Sequence, residues 1–140
     1  MTNSKSIPIA FSDIEAGNHN DLYHITDKVR IMLNSLLKQG FILRKSHLVA
    51  DKGFDCIALR NLLRRRSIKA IIKVNPRNNK KTKRGRKRYF DESLYKTRYI
   101  NERTFAWMDS YRTLLTRFDT TVESWKNWHF ITALLIATKV

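Results

Sequence analysis

The chain has 140 residues, 42% hydrophobic content and 15 aromatic side chains, enough for one domain with a real core and too apolar for a disordered chain. Its net charge of +16 calls for a polyanionic partner, nucleic acid ahead of an anionic membrane surface. One thiol, Cys56, a polar start over residues 1–6 and a tail stretch (130–137) far short of the roughly 20 apolar residues of a spanning helix argue against disulfides, a secretory leader and a membrane span.

Residues 6–11 alternate loosely and contain Pro8, which predicts a short edge strand. Residues 13–20, with Gly17, Asn18 and Asn20, read as a loop; Asp13, Glu15 and Asp21 form a loose, solvated acidic group around it. Asp21 can cap a helix running to about Lys38, with Leu22, Ile25, Val29, Met32, Leu33, Leu36 and Leu37 on its apolar face and Gly40 as its stop. Residues 47–50 are a buried-type strand. Asp55 fits an N-cap for a helix to about Arg66, with Ile57, Leu59, Leu62 and Leu63 inward and Cys56 as a small buried residue. Residues 67–74 make a second apolar strand. Strand, helix and strand in that order predict a parallel βαβ unit and an α/β fold.

Residues 77–88 read R-N-N-K-K-T-K-R-G-R-K-R, and these twelve positions hold eight cations and no acid, half of the +16 excess. The segment 75–90 is therefore expected to be a flexible basic loop within a single 1–140 domain, gripping phosphates in a sequence-tolerant, salt-dependent way. Its candidate contacts are Arg77, Lys80, Lys81, Lys83, Arg84, Arg86, Lys87 and Arg88. A solvated linker or a nuclear localisation signal is the plainer reading of such a run. From Asp91, a good N-cap, to Phe118 no Gly or Pro interrupts a helical pattern, and Phe105, Met108, Leu114, Leu115 and Phe118 are its packing positions. A last helix over 121–137 carries Trp125, Trp128, Ile131, Leu134 and Leu135 as core residues. The four histidines show no metal spacing with one another or with Cys56.

Two acids stand out. Asp51 follows a buried strand, at the carboxyl end where open α/β sheets bind ligands, and Gly53 permits a close approach. Asp-x-Gly is also ordinary turn composition. Tyr95, Arg98 and Glu102 fall on one helical stripe, and Arg98 can pair Glu102 at i,i+4. On most surfaces such a pair contributes only a few tenths of a kcal/mol.

Taken together, Asp51-Lys52-Gly53-Phe54, the Tyr95, Arg98 and Glu102 spacing, the basic loop, the E-R-T-F-A-W-M-D run at 102–109 and the closing Trp-rich helix resemble the C-terminal part of the DDE transposases of bacterial insertion sequences. The resemblance covers essentially the whole chain. It implies an RNase H-like fold, a mixed sheet flanked by helices, with Asp51 and Glu102 as catalytic metal ligands. Two Mg²⁺ ions would serve DNA strand cleavage and transfer, and Tyr95 and Arg98 would support the acid or the DNA. Two positions depart from the pattern. The family's last Lys or Arg would fall at Asp109, with Arg112 one turn on as a substitute. The first acid belongs on an opening strand that the resemblance places upstream of Met1, so the fold is expected to be incomplete and the chain inactive alone. An upstream transposase polypeptide, insertion-sequence ends and target DNA, and another copy of the chain are the partners implied, in the bacterial cytoplasm beside the nucleoid. The competing expectations are a non-catalytic DNA-binding protein or repressor and a basic ribosome-associated α/β protein.

Overall fold

The computed structural model describes residues 1–14, 18–20, 22–78 and 88–139. The chain is α/β. It divides into two compact units, one formed by Met1–Ala16 with Tyr99–Val140 and the other by Gly17–Arg98.

The Gly17–Arg98 unit is built on the expected βαβ arrangement. Helix α1, Ile25–Lys38, buries Val29, Leu33 and Leu36. Its ending follows from Gly40, whose φ of +86° suits a residue without Cβ. Gly40 N–H donates to the Leu37 carbonyl and Phe41 N–H to that of Leu36, both at 3.0 Å, which satisfies the last carbonyls in the Schellman manner. The beginning differs from expectation. His24 occupies the N-cap in the left-handed region without a side-chain cap, and Asp21 lies outside the described residues. Leu22 and Leu37 are exposed, so the apolar face is narrower than the sequence pattern.

Strands β1, His47–Ala50, and β2, Lys69–Ile72, pair in parallel with His47 opposite Lys69 and Ala50 opposite Ile72. Helix α2, Ile57–Arg65, is the crossover that a parallel pair requires. Leu59, Leu63, Ile71 and Ile72 are each 1% exposed or less and form the centre of this unit. The second strand is shorter than residues 67–74, because Val74 is already exposed. Ile57 is 60% exposed rather than inward, because the helix starts there and turns its Leu59–Leu63 stripe to the sheet. Cys56, not Asp55, is the N-cap. Its Sγ accepts the Leu59 N–H at 3.4 Å, and the thiol is half-buried. Helix α3, Glu92–Lys96, is capped by Asp91, which accepts the Leu94 N–H at 3.0 Å, and it packs near both strands.

The long helix expected from Asp91 to Phe118 is three helices. After α3 come α4, Tyr99–Asp109, and α5, Arg112–Leu115. The first interruption has a local cause. The Thr97 hydroxyl donates to the Leu94 carbonyl, and the N–H groups of Thr97 and Arg98 bond three residues back, which tightens and ends the turn.

In the other unit, residues 6–11 form no strand; a single antiparallel bridge joins Thr2 and Pro8. Backbone bonds such as those of the Asn3 N–H to the Ile7 carbonyl and the Ile9 N–H to the Met1 carbonyl fold the segment on itself, and side chains tie it down. Thr104 donates to the Ser6 carbonyl at 2.7 Å, Arg103 Nε to Ser6 Oγ at 2.7 Å, and Thr2 to Asn101 at 2.7 Å. Asp13, read as a solvated loop residue, pairs with Lys126 at 2.8 Å. Helix α6, Val122–Lys139, buries Thr132, Ala133 and Ile136, whereas Trp128, Ile131, Leu134 and Leu135 are exposed. A helix apolar on all sides gives no periodic signal for its inner face. Phe105, Leu115 and Phe118 are exposed too, leaving Met108 as the buried member of its set. Among the described residues no helix is long and apolar enough to cross a membrane.

Candidate active site

Asp51 sits one residue beyond β1, in extended conformation, where the strand gives way to a short 3-10 turn, Lys52–Phe54. The Phe54 N–H closes that turn on the Asp51 carbonyl at 3.0 Å. The carboxylate is therefore held at the end of a sheet strand with half of its side chain open to solvent.

Arg98 reaches it. The guanidinium Nη1 donates to Asp51 Oδ1 at 2.5 Å, across 47 residues of sequence. Tyr95 lies beneath, its ring 6.0 Å from the Arg98 guanidinium carbon and 5.3 Å from the Phe90 ring. A charge-assisted hydrogen bond of this kind fixes the direction of the carboxylate. The turn after Lys96 that breaks the expected helix is what carries Arg98 at this point. The sequence pattern paired Arg98 with Glu102; the geometry adds Asp51 as its partner. Glu102 is exposed on the first turn of α4, in the other unit.

Four residues along from Asp51, a second carboxylate has the opposite environment. Asp55 is 1% exposed. Its Oδ1 accepts Arg60 Nε at 2.7 Å and Arg88 Nη1 at 3.2 Å, and its Oδ2 accepts the Asn75 N–H at 2.9 Å. Arg60 also donates to the Ile72 carbonyl at 2.8 Å. Burial pushes the Asp55 carboxyl up, but the Asn75 N–H and the two guanidiniums outweigh it and leave the group below the ordinary carboxylate range. Asp55 thus ties together α2, the end of β2 and the residues on both sides of the basic run. Its partners are 5, 20 and 33 residues away, so no local pattern announced it.

The basic candidates divide. Arg77 lies exposed on a short 3-10 turn, Pro76–Asn78, and Arg88 is anchored on Asp55. Lys80, Lys81, Lys83, Arg84, Arg86 and Lys87 fall outside the described residues. Arg112 is exposed at the start of α5; a break at Ser110 and Tyr111 separates it from Asp109, so it is not the next turn of the same helix. Among the described residues no three His, Cys, Asp or Glu side chains are gathered as a metal cluster. In donor chemistry Asp51 suits a hard cation such as Mg²⁺.

A family model described as the transposase DDE domain matches residues 2–137. The chain belongs to the DDE transposase domain family. No curated protein and no solved structure matches it. The family's DNA-moving role agrees with the +16 charge of this DDE domain and gives the contact between Asp51 and Arg98 its context.

Proposed function

We propose that the chain is the C-terminal part of an RNase H-like catalytic domain that cleaves and transfers DNA strands at insertion-sequence ends, with Asp51 and Glu102 as two of its metal-ligating acids. The observation that supports this most directly is the Asp51–Arg98 bond, since it joins the two motifs read separately in the sequence. The acids are hard oxygen donors and would hold Mg²⁺, which supplies activation of the attacking hydroxyl and neutralisation of the leaving oxygen.

The side chains themselves have separable tasks. Arg98 orients the Asp51 carboxylate, and Tyr95 supports the guanidinium from one side. Arg77, Arg112 and the cations of residues 80–88 neutralise phosphates, which makes affinity salt-dependent and tolerant of sequence. Two acids are fewer than the three that the reaction uses, so the chain on its own is expected to bind DNA without cutting it. A polypeptide carrying a third carboxylate on a strand would restore cutting. The work would be done on nucleoid DNA in the bacterial cytoplasm.

The test is nicking of supercoiled plasmid carrying insertion-sequence ends, in Mg²⁺, with and without such a polypeptide. Nicking that needs both components and disappears in Asp51→Asn and in Glu102→Gln, with DNA binding kept, is the expected result. Nicking that survives either substitution would end the assignment. A second reading, a DNA-binding repressor without catalysis, draws on the absence of a three-ligand cluster among the described residues. It predicts binding and no nicking under any complementation.

A further inference from the structure

A groove of about 390 Å³ opens beside β2, within the Gly17–Arg98 unit, and the proposed reaction does not use it. Its cations are Arg60 and Arg64 from α2, Lys69 from the start of β2, and Arg88. Its floor is apolar, with Ile68 and Ala70, and the Tyr89 ring forms a wall. No acidic side chain is among the residues lining it. Behind it, Asp55 offers one carboxylate to two guanidiniums, those of Arg60 and Arg88, so positive charge is left over on that side. Arg64 and Lys69 are exposed and add to it.

The groove is not part of the Asp51 end of the sheet. Parallel pairing puts Ala50 opposite Ile72, whereas the groove is lined by Ile68, Lys69 and Ala70. The strand between Lys69 and Ile72 accounts for about 10 Å. Tyr89 is 52% exposed and already has the Lys69 ammonium 5.1 Å from its ring centre. An exposed aromatic face beside cations suits a base and its phosphate together. A duplex offers phosphates to the cations but keeps its base faces stacked away from Tyr89. An unpaired strand offers both.

We propose that this groove binds an unpaired nucleotide of the DNA substrate, with the base stacked on Tyr89 over the apolar floor and the adjoining phosphates on Arg64, Lys69 and Arg88. The proposal rests on the reading of the chain as a DNA-transposing protein, but its test does not need catalysis. Binding of the full chain to labelled single-stranded and duplex oligonucleotides of one sequence is measured in EDTA by fluorescence anisotropy. Tyr89→Ala is expected to weaken single-strand binding about 10-fold, within the range of one lost base stack, and duplex binding less than about 2-fold. Tyr89→Phe keeps the ring and should keep the affinity. Arg64→Ala and Lys69→Ala should weaken both forms, each lowering the log–log salt slope on single strands by about 0.7. Arg44→Ala, an exposed cation elsewhere in the same unit, measures the effect of charge alone. A strand bearing 5-iododeoxyuridine should photo-crosslink to the peptide holding Tyr89.

Equal losses on single strands and duplex for Tyr89→Ala, a loss no greater than that of Arg44→Ala, or crosslinks only to other peptides would overturn the groove as a nucleotide site. The circular dichroism of each variant separates these outcomes from misfolding. Absence of nicking in the complemented assay, with this binding pattern intact, would remove the catalytic assignment and leave the groove standing.

Discussion

The two units of the chain bury different things. The Gly17–Arg98 unit closes four large aliphatic side chains almost completely and also buries a carboxylate, Asp55, with two arginines and a backbone N–H around it. The Met1–Ala16 and Tyr99–Val140 unit buries mostly small and polar groups, Ser6, Ala10, Thr104, Thr132 and Ala133, with Met108 and Ile136 as its large apolar members, and leaves Phe105, Leu115, Phe118 and Leu134 each more than 60% exposed. It also holds a buried indole N–H, that of Trp125, with no partner among the described residues. A core of aliphatic volume is stabilised by removing apolar area from water, while one of hydroxyls and small residues depends on hydrogen bonds whose net gain is near 1 kcal/mol each. Stability should therefore be concentrated in the first unit.

The largest expected effect is Leu63→Ala, which empties a fully buried position and should cost about 3–4 kcal/mol in chemical denaturation. A cost under about 1 kcal/mol would mean that the βαβ unit is not the stable part. Next is Asp55→Ala, expected to cost about 3 kcal/mol, because it strands Arg60, whose side chain is 13% exposed, and the Asn75 N–H. The acid limb sharpens this point. Because the folded-state pKa of Asp55 is depressed, its contribution is complete above the unfolded value near 3.9 and is lost as pH falls below that value through the folded one. Asp55→Asn should flatten stability against pH in that window and leave the neutral-to-alkaline region unchanged in slope.

Asp51→Asn is the matched exposed case. With half of the Asp51 side chain and 38% of that of Arg98 open to water, their bond should be worth no more than about 1 kcal/mol, so this substitution should spare the fold while removing the proposed nicking. The smallest effect belongs to Leu134→Ala, within about 0.5 kcal/mol, since its side chain is mostly in water already. A larger loss there would show that the exposed face of α6 is covered in solution.

The same contrast explains what could be read from sequence. The βαβ unit was legible because residues 47–50 and 67–74 are short apolar runs separated by a helix whose Leu59 and Leu63 share one face. The inner face of α6 was not legible, since apolar residues surround it and its buried positions include Thr132 and Ala133. The break after Lys96 escaped because it depends on a threonine hydroxyl rather than on Gly or Pro. Asp51 could be picked out by its place at a strand end, and the family resemblance matched it to Arg98 and Glu102 as one site. The Arg98 contact itself, 47 residues distant, needed coordinates. The role of Asp55 had no sequence signature at all.

The order of the chain has a consequence for how the protein is made. The Gly17–Arg98 unit is one continuous stretch, whereas the other is assembled from both ends. During synthesis at about 5–20 residues per second, the middle stretch can finish folding while the residues after Arg98 are still being added. Ser6, by contrast, lies ahead of that unit in the chain and must wait for Arg103 and Thr104 to be translated before its bonds can form. For those several seconds the Ser6 segment lacks the partners it has in the finished fold, and anything that binds extended peptide has its best chance at it then.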